Sequence, residues 1–139
     1  MIEDEIREIL DKVHAQMRRN FAIALRSLNL HVGQEHLLCR LWSGDGVTQQ
    51  QLCEHLKCEA STVTNMLKTL EKNKLVYRIR DDNDGRISRV FLTEKGREIK
   101  EPIEKMWRAQ QDKLLNGIVT EERLLLRRIL KQMEKNLLP

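Results

Sequence analysis

The chain has 139 residues, enough for one domain with a real core. A third of them are charged and only two are Pro, which suits a mainly helical domain and argues against disorder. The formal charge of +4 permits a polyanion partner without demanding one.

Aromatic residues are scarce, so a core must come from Leu, Ile, Val and Met. The opening segment MIEDEIREIL is acidic and amphipathic, unlike a secretory signal or a transit peptide. No apolar run approaches the roughly 20 residues that a membrane span needs. Cys39, Cys53 and Cys58 are an odd number with no paired framework, as expected of a reduced, intracellular protein.

From Ile2 to about Leu28, the residues Ile2, Ile6, Ile9, Val13, Met17, Phe21, Leu25 and Leu28 recur every three or four positions. They form one stripe on a long helix, longer than a small domain needs, so part of it is expected to meet another chain. Asn29 to Gly33 breaks the period. Leu37, Leu38, Leu41 and Trp42 mark a shorter second helix, stopped by Ser43-Gly44-Asp45-Gly46. Thr48 with Gln51 three residues on has the form of a capping box, which starts a helix from Gln49 to about Leu56.

Cys58 and Glu59 read as a turn, and the next helix runs from about Ala60 to Lys72. Val63, Met66, Leu67 and Leu70 are its apolar face. Ser61, Thr62, Thr64, Asn65, Lys68 and Lys72 line the other face. Hydroxyls and an amide can read base edges, and ammonium groups can meet phosphates, so this face suits the major groove of DNA. Gln49, at the start of the preceding helix, is placed to touch a phosphate. Leu75–Arg80 and Ile87–Thr93 read as strands around an Asp-Gly turn, a strong hairpin signal. Arg78, Arg80, Arg86 and Arg89 cluster on this hairpin, and four arginines exceed what solubility requires.

Thr93 can cap a long helix from Glu94 to Asn116-Gly117, with Pro102 near a kink because it lacks an N–H. Thr120, with Glu121 and Glu122, starts a last helix. The chain is therefore expected to be mainly α (α+β): a winged helix-turn-helix with about six helices and a two- to three-stranded wing. Residues 1–139 form one domain, with a DNA-binding region at 30–99 and flanking helices at 1–29 and 100–139. No nucleophile with a base partner, phosphate-cradling glycine loop or carboxylate pair suggests an enzyme. The four histidines lack metal-ligand spacing, so neither a metal nor a cofactor is expected.

These residues resemble the MarR family of transcriptional regulators over nearly the whole length. Leu30, His31, Gln34, Leu38 and Leu41 are similar to the family's opening signature, and Thr48, Gln49, Leu52, Leu56, Ser61, Thr62, Val63, Thr64 and Leu70 to its helix-turn-helix. The wing matches best, at Leu75, Val76, Arg78, Asp84, Gly85, Arg86, Val90, Leu92, Thr93 and Gly96. The resemblance implies a homodimer held by the first and last two helices. Its two winged helices would meet a pseudo-palindromic duplex operator, with half-sites about 10 bp apart. It implies that Arg86 enters the minor groove, braced by Asp84, and that Gln49, Ser61, Thr62, Thr64, Asn65, Lys68, Arg78 and Arg89 share the DNA site. A repressor released by a small aromatic effector, in a bacterial or archaeal cytoplasm and associated with the nucleoid, completes the expectation.

Three positions depart from the pattern. Lys74 stands where the family usually closes the recognition helix with Gly, Glu59 where a better cap is usual, and Glu35 where an aromatic is common. Two other readings stand beside this one. A winged helix can be a protein–protein adaptor, and Glu59, Asp81, Asp82 and Asp84 lower the local potential. A thiol-based, redox-responsive regulator would use Cys39, beside Arg40, since Cys53 and Cys58 occupy core positions.

Overall fold

The computed structural model describes all 139 residues. The first helix, α1, spans Ile2–Arg26, with Glu3, Asp4 and Glu5 in its first turn, where the helix dipole favours acids. Only its C-terminal end is in the core, through Leu25, with Phe21 packed beside it. Ile2, Ile6, Ile9, Val13 and Met17 remain exposed along the rest.

Helix α2 covers Val32–Trp42 and starts earlier than its leucines suggest. The backbone N–H of His31 donates to Oε1 of Gln34, which closes the helix start. Gly33, expected in the break, belongs to the first turn of α2. A Cβ there would come within 3.0 Å of the Met66 sulfur, so the missing side chain lets the two helices approach. A two-residue strand, β1 (Val47–Thr48), leads into α3 (Gln49–Leu56). The capping box is formed: Gln51 N–H donates to Thr48 Oγ1 at 3.1 Å, and Thr48 N–H to Gln51 Oε1 at 2.9 Å.

The turn between the helices is made by Lys57, whose φ of 53° is left-handed, rather than by Cys58 and Glu59 alone. Helix α4 spans Ala60–Lys72 and buries Val63, Leu67 and Leu70, three positions on one face. Lys74 closes it in the left-handed region at φ 61°, the conformation that a Gly would adopt more cheaply.

Strands β2 (Val76–Arg80) and β3 (Ser88–Leu92) pair antiparallel, from Val76 opposite Leu92 to Arg80 opposite Ser88. Strand β1 adds to the other edge of β3, in the order β1-β3-β2. The single long helix expected after Thr93 is two: α5 (Glu94–Glu98) and α6 (Lys100–Leu114), meeting at Ile99. Pro102 has no N–H to donate to the carbonyl of Glu98, and its ring crowds that carbonyl, so the ladder breaks there. Counted as one interrupted helix, the chain has the six expected. Helix α7 (Thr120–Leu137) follows Gly117 and buries no residue.

The core is one cluster of leucines and valines from α1, α2, α3, α4 and the sheet, closed by Ile103 of α6. Only 18 of 139 residues are buried, and much of the apolar stripe of α1 and of α7 is exposed in a single chain. No helix is long and apolar enough to cross a membrane.

Candidate nucleic-acid interface

Burying Val63, Leu67 and Leu70 turns the opposite face of α4 outward. Ser61, Thr62, Asn65 and Lys68 are all exposed, as the helical period requires. Thr64 is half-buried, and its hydroxyl accepts a hydrogen bond of 2.5 Å from Nε2 of Gln49. That amide reaches from the first turn of α3 to the second turn of α4, so Gln49 and Thr64 fasten the two helices together. At the α4 N-terminus Glu59 makes no side-chain cap, which leaves its carboxylate in solvent beside the exposed polar face of α4.

The hairpin tip is folded on two carboxylates. Asp81 Oδ1 accepts the N–H of Asn83 at 2.8 Å, and Arg89 Nε donates to its other oxygen at 3.0 Å. The Asn83 bond first, and then Arg89, hold the Asp81 carboxyl below its usual pKa. Asp84 takes both Nε and Nη2 of Arg86, at 3.1 and 3.2 Å, and also the Arg86 backbone N–H at 3.0 Å. This forked pairing lowers the Asp84 pKa in turn. The Arg86 side chain nevertheless stays 90% exposed, so it is aimed but not covered.

The expected wing arginines are not equivalent. Arg78 lies on the face of β2 that packs on α4, with Nε 2.6 Å from Oε1 of Glu71. The contact is an ion pair rather than an aligned hydrogen bond, since that buried oxygen has no hydrogen-bond partner. Arg89 spends Nε on Asp81 and Nη1 on the carbonyl of Gly46. Arg80, which the motif comparison did not single out, is exposed and pairs with no carboxylate. Alternation along β2 was the available signal: Arg80 shares the face of Val76 and Arg78 but lies past the edge of the core.

Cys39 is on α2, away from this surface, and its thiol donates to Oε1 of Glu35 at 2.8 Å. Glu35 is buried, which its polar character gave no reason to expect. Burial, then the neighbouring Glu35, push the Cys39 thiol far above its ordinary pKa and keep it protonated. A crevice of about 690 Å³ opens elsewhere, between α1, the start of α2 and α6. Val13, Met17, Phe21, Val32 and Trp107 form its apolar walls, and His14, His36 and Lys113 stand among them.

The MarR family profile matches residues 30–88, the span from the start of α2 to the wing. The organic hydroperoxide resistance transcriptional regulator of Bacillus subtilis is 30% identical over 100 residues, covering 72% of this chain and 68% of the relative. Among solved structures, MepR, a transcription regulator of the Staphylococcus aureus multidrug efflux pump MepA, superposes with a TM-score of 0.83 at 25% identity. That match covers 94% of this chain and 96% of MepR. A MarR transcriptional regulator from Methanosarcina mazei matches with a TM-score of 0.77 at 26% identity, covering 96% of each chain. Such relatives are transcriptional regulators rather than enzymes. With its helix pair α3–α4, forked Asp84–Arg86 wing and family profile, the chain belongs to the MarR family of DNA-binding winged helix-turn-helix transcriptional regulators.

Proposed function

We propose that the protein is a homodimeric repressor that binds a pseudo-palindromic operator and leaves it when a small aromatic molecule binds. The carrying observation is Arg86, aimed by two bonds from Asp84 yet 90% exposed, in a chain whose α4 also turns Ser61, Thr62, Asn65 and Lys68 outward. In this reading Ser61, Thr62, Asn65 and Lys68 meet the major groove, and Arg86 enters the adjacent minor groove. Gln49 and Thr64 belong to the same surface but also hold α3 to α4.

Dimerisation is supported by the exposed stripes of α1 and α7. Ile2, Ile6, Ile9, Leu124, Leu125 and Leu130 would be costly to leave in water, at about 25 cal/mol per Å² of apolar surface. The crevice lined by Met17, Phe21 and Trp107 is the candidate effector site. It touches α1 and α6, so an occupant could change how two copies are spaced. A thiol trigger has less behind it, because Cys39 is held protonated.

The test is a titration with a duplex that the protein itself selects from a random pool. Arg86→Ala is expected to weaken binding by about 1–3 kcal/mol while the dimer persists. Unchanged affinity would remove Arg86 from the site. The adaptor reading predicts little dependence on salt, whereas groove binding weakens steeply as salt rises and counterions are no longer released at a gain.

A further inference from the structure

We infer that Arg78 and Arg89 are positioning residues that set the wing against the recognition helix, leaving Arg86 and Arg80 as the wing's cations for DNA. The inference rests on the DNA-binding reading and reassigns two of its residues. Only Asn73, Lys74 and Leu75 separate α4 from β2, and Lys74 is held at a left-handed φ of 61°. So short a joint fixes direction only if something ties the elements beyond it.

One tie is the backbone bond from Leu75 N–H to the Leu70 carbonyl, at 2.9 Å. The other is the Glu71–Arg78 pair, which links the last turn of α4 to the middle of β2. Both side chains are less than a third exposed, at 32% and 29%. Oε1 of Glu71 is buried with no hydrogen bond, so Arg78 is the charge that compensates it. An arginine turning away to a phosphate would abandon that carboxylate.

Arg89 makes a third tie further out. Its guanidinium bridges Asp81 at the tip and the Gly46 carbonyl just before β1. Asp81 also accepts the N–H groups of Asn83 and Asp84, at 2.8 and 3.3 Å, and so organises the turn that carries Arg86. The tip is thus referred back to the root of the sheet. Arg80 has no such anchor and remains exposed.

The test uses the full chain and a duplex that it recovers from a random pool. Glu71→Gln and Asp81→Asn each remove a negative charge and leave the arginine in place. If the arginines were phosphate ligands, freeing them would leave binding unchanged or tighten it. Bracing predicts the opposite sign, a loss on the order of tenfold, since a drifting wing forfeits the contacts of Arg86 and Arg80. The double variant Glu71→Gln, Arg78→Gln is expected to lose about as much as either single change, and independent additive effects would overturn the pairing.

Hydrogen exchange in the free protein separates bracing from general destabilisation. Faster exchange in Glu71→Gln should be confined to amides of residues 76–92, with those of α1 and α6 unchanged. Unchanged wing amides, or faster exchange throughout, would overturn the inference. Failure of the unmodified chain to enrich any duplex would instead remove the DNA reading, and the exchange experiment would still decide whether Glu71 and Arg78 hold the wing.

Discussion

Gly96 is the position where one added methyl group should cost most. A Cβ built there lies 2.1 Å from the carbonyl oxygen of Leu75, 3.1 Å from its carbon and 3.2 Å from a methyl of Leu92. Reaching even 3.0 Å from that oxygen requires a shift of 0.9 Å between α5 and the start of β2. Several bonds meet at this junction and resist the shift. Trp42 Nε1 donates to the Gly96 carbonyl at 2.9 Å, Thr93 N–H to the Leu75 carbonyl at 3.1 Å, and Gly96 N–H to Thr93 Oγ1 at 3.0 Å. Overpacking costs about 1–3 kcal/mol, and each hydrogen bond stretched out of range about 1 kcal/mol more. Ala gains back about 1 kcal/mol as the better helix former. The clash wins, and Gly96→Ala should lose about 3 kcal/mol. For a chain of this size that is a drop of roughly 10 °C in thermal midpoint, read by far-ultraviolet circular dichroism at fixed chain concentration. Gly85→Ala is the control, since nothing lies within 4 Å of its added Cβ, and it should shift the midpoint by about 1 °C or less. A Gly96→Ala midpoint within about 2 °C of the parent would refute the steric argument.

Lys74→Gly should act in the other direction. It relieves a left-handed residue at about 1–2 kcal/mol, less the extra freedom of Gly in the unfolded chain, for a net gain of about 0.5–1 kcal/mol in the same melting experiment; a lower midpoint would count against it. Cys39 should resist iodoacetamide at pH 8 in the folded protein and react once the chain is unfolded, as followed by peptide mass spectrometry, because burial and Glu35 suppress its thiolate. Equal rates in both states would contradict that. Asp81 and Asp84 have pKa values below their usual 3.8, so their bonds stabilise the wing above that value and are lost as pH falls through the lower folded values. NMR titration of their carboxyl carbons should therefore show midpoints below 3.8; midpoints at or above it would break the link between these acids and the turn.

Much of the fold is local, and to that extent it was legible from the residues. The Thr48–Gln51 box, the three-and-four spacing of Val63, Leu67 and Leu70, and the Asp-Gly turn each act within a few positions, so the chain cannot hide them. The same holds for the break near Pro102, which follows from a missing N–H, while the left-handed cap after α4 falls on Lys74, the position where Gly is usual. The Asp84–Arg86 fork is two residues wide and was equally accessible. Three-dimensional packing decided the rest. Whether an arginine is free or spent depends on which carboxylate the fold brings to it, and Glu71 and Gly46 are distant in sequence from Arg78 and Arg89 or lie across an element boundary. The burial of Glu35, the β1–β3 pairing and the approach of Gly96 to Leu75 likewise need elements far apart in the chain to meet. Sequence alone determined most of the helices and the β2–β3 hairpin, because their signals are short-range. Tertiary structure decided which charges are paired within the chain and which stay free, because pairing depends on distance in space.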